Sequence, residues 1–141
     1  DGSAKGRFGA MVRAQGGPAN FADRWQDYLE IAPAYQLRAA NTGYLSEIDG
    51  AALGQAVVTL GGGRQREDDR IDHSVGLSDI TPLGTYLRKG APIARLHCRS
   101  SKQADIALRA IQAALTLSSE PPVLPALIIE RIMPEKVSKH G

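Results

Sequence analysis

The sequence predicts an α+β domain, in which helices and short strands follow one another without a fixed alternation. Apolar residues recur at helical spacing near both ends of the 141-residue chain. The middle of the chain consists instead of short segments punctuated by glycine, which are typical of strands. The regular strand–helix repeat of a doubly wound parallel sheet is missing. A chain of this length is expected to form one compact core with a small appendage.

Two helices are expected at the N-terminus, and together they form an appendage over residues 1–34. The first is predicted over residues 3–15 and the second over residues 21–29, where Asn20 is a suitable cap. In the first helix the apolar residues lie three and four positions apart and share one face, namely Phe8, Met11 and Val12. This face requires a partner surface.

The first part of the following module, residues 35–132, contains two predicted strands, over residues 35–39 and 43–48. Residues 50–60 fit either a helix or a strand. Apolar residues at helical spacing favour the helix, whereas the run Val57-Val58-Thr59 favours the strand. We predict a helix, because of the length of the segment and because the preceding Asp49 is a suitable helix cap.

The rest of the module is expected to alternate tight turns with short strands before a long helix. Its apolar residues repeat at intervals of four, three and four through Ala104, Leu108, Ile111 and Leu115. The predicted elements are a strand region over residues 71–80, strands at 86–87 and 93–96, a helix over 100–117, a last strand at 127–132 and a polar tail over 133–141.

Composition and charge exclude several classes of partner. The 17 Lys and Arg residues are interleaved with 15 Asp and Glu residues, the net charge is +2, and only 5% of residues are aromatic, so nucleic acid is not an expected partner. No 18-residue apolar run and no leader pattern occurs, which predicts a cytoplasmic protein without a membrane partner. The single cysteine, Cys98, excludes an internal disulfide and fits a reducing compartment.

The run Gly61, Gly62, Gly63 followed by Arg64 and Arg66 is the most informative polar segment. Consecutive glycines let backbone N–H groups approach an anion, which is one interpretation. The other is a helix stop that leads into a flexible loop. The segment lacks the Gly-Lys-Ser/Thr ending of a phosphate-binding loop, so the helix stop is favoured.

Other polar residues are expected to have structural or solvated roles. No metal site is predicted, because the histidines lack ligand spacing and the acidic residues alternate with arginines. Cys98 follows His97 on a strand, where adjacent side chains point to opposite faces and cannot pair. No nucleophile and base pair is expected, which argues against a self-sufficient hydrolase. The residues concerned are Glu67, Asp68, Asp69, Asp72, His73, His97, Cys98 and His140.

Residues 83–96 and the stretch that starts at Gly43 resemble the two halves of a biotinyl or lipoyl carrier module. Residues 83–96 contain glycine and proline spaced around apolar residues, and the stretch from Gly43 contains glycines spaced in a similar way. The carrier lysine motif is missing, and Lys89 lies in a different turn. The resemblance therefore implies the architecture, a barrel-sandwich hybrid or α/β-hammerhead-like module, and not the carrier function.

Several segments together resemble the C-terminal portion of the pyrimidine-nucleoside phosphorylase family, from Asp1 to about Ile132. These segments are Asp1-Gly-Ser-Ala, Met11-Val-Arg-Ala-Gln-Gly-Gly-Pro18, Gly43-Tyr-Leu-Ser-Glu-Ile48, Leu53-Gly-Gln-Ala-Val-Val-Thr-Leu-Gly-Gly-Gly-Arg64 and Ile71-Asp-His-Ser-Val-Gly76. The chain begins without an initiator methionine and is expected to be part of a longer protein.

The resemblance implies a transferase that reversibly cleaves thymidine with phosphate as co-substrate and without a cofactor. The family's enzymes are expected to be homodimers whose two domains close over a pyrimidine deoxynucleoside and phosphate. The family's phosphate and pyrimidine motifs precede the matched portion, so no catalytic or substrate-binding residue is assigned here, and the chain alone is expected to be inactive.

Within this family framework, residues 1–34 correspond to the end of the larger α/β domain and residues 35–132 to the C-terminal module. The loop over residues 61–69, with its glycines and with Arg64 and Arg66, is expected to face the interdomain cleft and help closure. The alternative is a stand-alone, non-catalytic binding or interaction module on the biotinyl/lipoyl-like framework.

Overall fold

A computed structural model describes residues 1–133. Its elements are α1 (Ser3–Ala14), α2 (Phe21–Arg24), β1 (Ala34–Arg38), β2 (Gly43–Ile48), α3 (Gly50–Val57), β3 (Gly76–Ser78), β4 (Tyr86–Leu87), β5 (Pro92–His97), α4 (Ser101–Ala113) and β6 (Leu115–Ser118). A 3-10 turn, Trp25–Asp27, follows α2, and a π-helical turn, Val58–Gly62, follows α3. The predicted α+β class is confirmed. Within residues 1–133, no helix is long and apolar enough to cross a membrane.

The strands form two antiparallel sheets of three strands each. β5 is the central strand of the first sheet, between β1 and β3, and β2 is the central strand of the second, between β4 and β6. Each central strand contributes a side chain with no exposed surface to the core, Leu96 from β5 and Leu45 from β2. The apolar face of α4 completes the core through Ala104, Ala107 and Ile111.

Side-chain caps begin both long helices of the module. The Asp49 carboxylate accepts a hydrogen bond from the Ala52 N–H at 2.9 Å, so residues 50–57 form α3 as predicted. The Ser100 hydroxyl accepts one from the Gln103 N–H at 3.4 Å at the start of α4. These caps satisfy backbone N–H groups that have no partner within the first helical turn.

The predicted end of the long helix is wrong. α4 stops at Ala113, and Leu115–Ser118 forms β6 along β2, with Leu117 opposite Leu45. The Asp49 N–H also donates to the Ala114 carbonyl, which fixes the chain at this transition. Leu115 fits the helical repeat of α4, but it also alternates with Leu117 as in a strand, and the open edge of β2 favours the strand.

The predicted strand over residues 127–132 does not form. This segment has no regular structure, and its apolar side chains are exposed, with Leu127 and Ile129 almost fully so. Branched residues favour a strand only when a partner strand supplies hydrogen bonds and a packed face. No strand among the described residues pairs with this segment.

Two other predicted elements are shorter than expected, and the tail falls largely outside the described residues. The strand region over residues 71–80 contains only β3. The helix over residues 21–29 changes to the 3-10 turn after Arg24, and the Asn20 side chain, rather than capping it, accepts a hydrogen bond from the Tyr28 hydroxyl at 2.6 Å. Of the predicted tail over residues 133–141, residues 134–141, including His140, lie outside the described range.

The two N-terminal helices pack on each other. The Phe8 and Phe21 rings lie 6.1 Å apart between centroids, and the Phe21 and Tyr28 rings lie 5.7 Å apart. Phe8 and Met11 remain about half exposed on α1. The face predicted to need a partner is therefore only partly covered by α2.

Candidate functional site

The three glycines turn the chain back at the end of the π-helical turn. Gly61 has φ of 96°, a left-handed conformation that side chains disfavour. A Cβ atom at Gly62 would lie 2.6 Å from Val57 Cγ1, and one at Gly63 would lie 2.7 Å from Val58 Cγ2. The geometry is that of a tightly packed helix stop.

The charged loop, residues 64–72, leaves this turn and returns to it. The Asp72 N–H donates to the Gly61 carbonyl at 2.8 Å, so the two ends of the loop meet. Within the loop, the Asp69 carboxylate accepts hydrogen bonds from the backbone N–H groups of Gln65 at 3.0 Å and Arg66 at 2.8 Å. The backbone of the loop is therefore held by Asp69.

Arg64 and Arg66 are exposed on this loop. Their side chains take no part in the backbone bonds to Asp69, since Arg66 uses its main-chain N–H. Within residues 1–133, neither guanidinium lies within 4.0 Å of a carboxylate. Both arginines are therefore exposed on a backbone held in place, in a loop that also carries exposed Glu67 and Asp68. An exposed guanidinium can bind an anionic group.

Asp72, at the end of the charged loop, contacts Arg99. Arg99 Nε donates to Asp72 Oδ2 at 2.7 Å and Nη2 to Asp72 Oδ1 at 3.4 Å, while Nη1 donates to Glu30 Oε1 at 2.9 Å. The Ser74 hydroxyl donates to Asp72 Oδ1 at 2.6 Å. The Arg99 hydrogen bond, followed by those from Ser74, holds the pKa of Asp72 well below its usual range. The same Asp72 bond, followed by that to Glu30, raises the pKa of Arg99.

A cleft of about 440 Å³ lies beside this cluster, between the linker after α2 and the first sheet. Trp25, Leu29 and Ile31 give it an apolar wall, and the opposite wall is polar, with Ser78 and His97. This cleft brings together residues that lie far apart in the sequence.

Ser78 and His97 form a pair that the sequence analysis did not predict. Ser78 Oγ lies 2.9 Å from His97 Nε2, and His97 Nδ1 lies 3.3 Å from the Ala32 carbonyl oxygen. The carbonyl requires the proton on Nδ1, so Nε2 accepts from the serine hydroxyl. The pair ties the linker to β5 and β3. The two residues come together only because β3 pairs antiparallel with β5, and no residue pattern in the sequence predicts that these two strands are neighbours.

The other predicted polar positions are placed as follows. Cys98 is buried, and its thiol donates to the Ser100 carbonyl at 3.3 Å. His73 is exposed beside the cleft, and Glu67 and Asp68 are exposed on the loop. Among the residues that the structure describes, no group of His, Cys, Asp or Glu is arranged to hold a metal ion.

Comparisons with known proteins identify one family and several relatives. Residues 44–118 match the family model described as "Pyrimidine nucleoside phosphorylase C-terminal domain". The chain is 46% identical over 132 residues to "Thymidine phosphorylase" of Sinorhizobium fredii (strain NBRC 101917 / NGR234), covering 93% of this chain and 30% of the relative. It is 43% identical over 132 residues to the protein of that name from Rhizobium meliloti (strain 1021), covering 93% and 30%.

A third relative, "Thymidine phosphorylase" of Colwellia psychrerythraea (strain 34H / ATCC BAA-681), is 40% identical over 128 residues, covering 90% of this chain and 29% of the relative. The chain therefore spans about 30% of the length of these curated relatives. The resemblance predicted from the sequence is confirmed. The matched residues and the identities show that this chain belongs to the pyrimidine nucleoside phosphorylase family and contains its C-terminal domain.

Proposed function

We propose that this chain is the supporting C-terminal domain of a thymidine phosphorylase, a glycosyltransferase of pyrimidine nucleoside metabolism. The longer protein converts thymidine and phosphate reversibly to thymine and 2-deoxy-α-D-ribose 1-phosphate. The observation that carries this proposal is the 46% identity, over 93% of the chain, to a protein named for that activity.

In this reaction a phosphate oxygen forms a bond to the sugar carbon C1′ as the bond from C1′ to the pyrimidine nitrogen breaks. The electron pair of the broken bond leaves with thymine, which takes up a proton. Negative charge is spread over phosphate and base in the transition state, so fixed positive groups and hydrogen-bond donors supply most of the rate enhancement. No catalytic or substrate-binding residue is assigned to this chain, because its residues do not match the family's motifs for phosphate and pyrimidine.

The charged loop serves domain closure in the longer protein. Its glycine turn supplies a defined bend, Asp69 holds its backbone, and Arg64 and Arg66 remain exposed. In this role the loop faces the interdomain cleft, and its two exposed arginines stabilise the closed state around phosphate. The loop therefore affects substrate binding without touching the reacting atoms.

The architecture proposed for the module over residues 35–132 is a barrel-sandwich hybrid of the α/β-hammerhead type. Residues 1–34 end the larger α/β domain of the longer protein. The longer protein is a cytoplasmic homodimer that requires no cofactor and has no nucleic-acid or membrane partner. The two three-stranded sheets around a common core support this architecture.

The test is phosphate-dependent release of thymine from thymidine, measured side by side on the 141-residue chain and on the full-length protein. Activity in the full-length protein alone supports the proposal. Turnover by the 141-residue chain means that the catalytic residues lie within it, which overturns the assignment of a supporting domain. Absence of turnover in both, with the full-length protein folded, favours the non-catalytic binding module instead.

A further inference from the structure

Arg99 connects two segments that are distant from it and from each other in the sequence. It lies between β5 and α4, where it binds Asp72 at the end of the charged loop and Glu30 in the linker after α2. The guanidinium uses separate edges for the two carboxylates, Nε and Nη2 for Asp72 and Nη1 for Glu30. A planar fork can hold two acceptors in a fixed relative geometry, which a lysine ammonium cannot do.

The position of Glu30 makes this contact important for the linker. The next bonds between linker and module are made by Ala32, whose N–H donates to the Ser74 carbonyl at 3.0 Å, and by Pro33, whose carbonyl accepts from the Cys98 N–H at 3.0 Å. Within residues 1–133, no hydrogen bond or ion pair joins residues 1–29 to the module. Among the hydrogen bonds and ion pairs of residues 1–133, the Glu30–Arg99 pair is therefore the link to the module that lies nearest the N-terminal helices in the sequence.

At the other end of the Arg99 contact, Asp72 and Ser74 connect the end of the charged loop to Arg99 and to the linker. Asp72 receives Arg99 on its side chain while its N–H closes the charged loop onto Gly61. Ser74, two residues further on, bonds both to Asp72 through its side chain and to the linker through its carbonyl. The loop end is thus joined to the linker by two routes, one through Arg99 and one through Ser74.

We propose that Arg99 is a positioning residue that couples the charged loop to the linker, so that movement of the loop during domain closure is passed to the N-terminal helices. This inference rests on the proposed role of the loop in closure. All three side chains are partly or largely exposed, with relative side-chain areas of 52% for Arg99, 73% for Glu30 and 30% for Asp72. Exposed pairs contribute little to stability, so Arg99 acts through geometry and not through the free energy of unfolding.

The first experiment measures amide hydrogen exchange in the 141-residue chain. Arg99→Met is expected to speed exchange about threefold to tenfold in both residues 28–33 and residues 61–75, because both segments lose a charge-assisted contact. Glu30→Gln is the decisive variant, since it leaves the Arg99–Asp72 pair intact. Coupling requires it to speed exchange in the loop as well as in the linker. Faster exchange in the linker alone would show two independent contacts and overturn the proposal.

Arg95→Met is the matched control. Arg95 borders the same cleft, and its ion pair with Asp79 lies inside the module at 3.1 Å. Its loss is expected to leave exchange in residues 28–33 unchanged. Trp25, the only tryptophan, lines the cleft and provides a second readout, because a looser linker increases its quenching by acrylamide. Equal effects of Arg95→Met and Arg99→Met on both readouts would overturn the proposal.

A second measurement uses the full-length protein. Arg99→Met is expected to raise the KM for phosphate about threefold to tenfold with a smaller change in kcat, since closure contributes to binding more than to the chemical step. Arg99→Lys is expected to behave like Arg99→Met, because an ammonium group does not bridge both carboxylates in the fork geometry. If the exchange data show coupling and the full-length protein lacks phosphorolysis, the proposed function fails and the coupling stands. An active protein without coupling overturns only the role of Arg99.

Discussion

Gly61 holds a backbone conformation that few other residues adopt, and the closed ends of the charged loop depend on it. Its φ is 96°, and its carbonyl accepts the Asp72 N–H that closes the loop. Gly61→Ala is expected to cost about 1–2 kcal/mol, because an L side chain is strained at positive φ. Urea unfolding of the purified chain measures this loss.

Gly54→Ala is the control for this substitution. Gly54 lies inside α3, where a Cβ atom would meet no atom within 4 Å. Alanine in a helix interior is expected to stabilise the chain by about 0.5–1 kcal/mol. A stabilising effect of both substitutions would contradict the left-handed turn at Gly61.

Asp72 gives the Arg99 cluster a defined dependence on pH. Because its pKa is lowered in the folded chain, mainly by Arg99 and then by Ser74, its favourable contribution is present above the unfolded value of about 3.9 and is lost as the pH falls through the folded value. The contacts are therefore expected to persist throughout the neutral and mildly acidic range. In Arg99→Met, NMR titration of the Asp72 carboxyl should show a pKa nearer the unfolded value, and an unchanged titration would contradict the bond.

Arg64 and Arg66 should affect function without affecting stability. Their exposed side chains make no ion pair among the described residues, and Asp69 binds the main chain of the loop. In the full-length protein, replacing both by Ala is expected to reduce kcat/KM for phosphate about tenfold, from the loss of about 1.4 kcal/mol of transition-state stabilisation. Lys102→Ala with Arg109→Ala, on the exposed surface of α4, is the charge-matched control. Kinetics unchanged by the double substitution would contradict the closure role.

β6 depends on close contact with β2 at Gly43. A Cβ atom at this position would lie 2.6 Å from the Ser118 carbonyl oxygen, so the strand could accept alanine only by moving β6. Gly43→Ala is expected to destabilise the chain by about 1–3 kcal/mol through this overpacking. Thermal unfolding measures the effect against Gly50→Ala, at the start of α3, where a Cβ atom meets nothing within 4 Å. Equal stability of the two variants would contradict the β2–β6 register.

Local patterns predict the elements of this fold well where a cap or a glycine marks their limits. Asp49 fixes the start of α3, and the short strands β1, β2, β4 and β5 lie close to the predicted segments. The patterns fail where a segment depends on a distant partner. Leu115 and Leu117 fit both a helix and a strand, and only the edge of β2 decides between them.

In the candidate site, too, the sequence predicts the local features and not the contacts between distant residues. The glycine turn and the charged loop are evident from residue types, because glycine runs and alternating charges have direct local consequences. The Ser78–His97 pair and the Arg99 contacts join residues 19, 27 and 69 positions apart in the chain. Such contacts follow from the register of β3 and β5 and from the path of the linker, neither of which a single sequence specifies.

Exposed apolar residues are concentrated at the two ends of the described chain. Phe8, Met11, Trp25 and Leu29 lie on the N-terminal helices and the segment that follows them. Leu127, Ile128 and Ile129 lie in the segment after β6. The module between them buries its apolar side chains in one core around Leu45 and Leu96. Exposed apolar side chains promote association where they lie together on the surface.

The segment after β6 is expected to cause self-association of the 141-residue chain. Its branched residues favour a strand and have no strand partner within residues 1–133, and the outer strands β1, β3, β4 and β6 each have one side unpaired within their sheet. If the segment of one copy paired with an outer strand of another copy, both would gain a strand partner.

Ile128→Lys with Ile129→Lys should reduce association about tenfold or more, since lysines on an edge strand oppose such pairing. Sedimentation velocity over a concentration series measures this effect. Gln103→Lys with Ile106→Lys, at two exposed sites on α4, is the control for the two added charges. If the unmodified chain stays monomeric throughout the series, intermolecular pairing by this segment is excluded under those conditions and its exposed residues do not drive association.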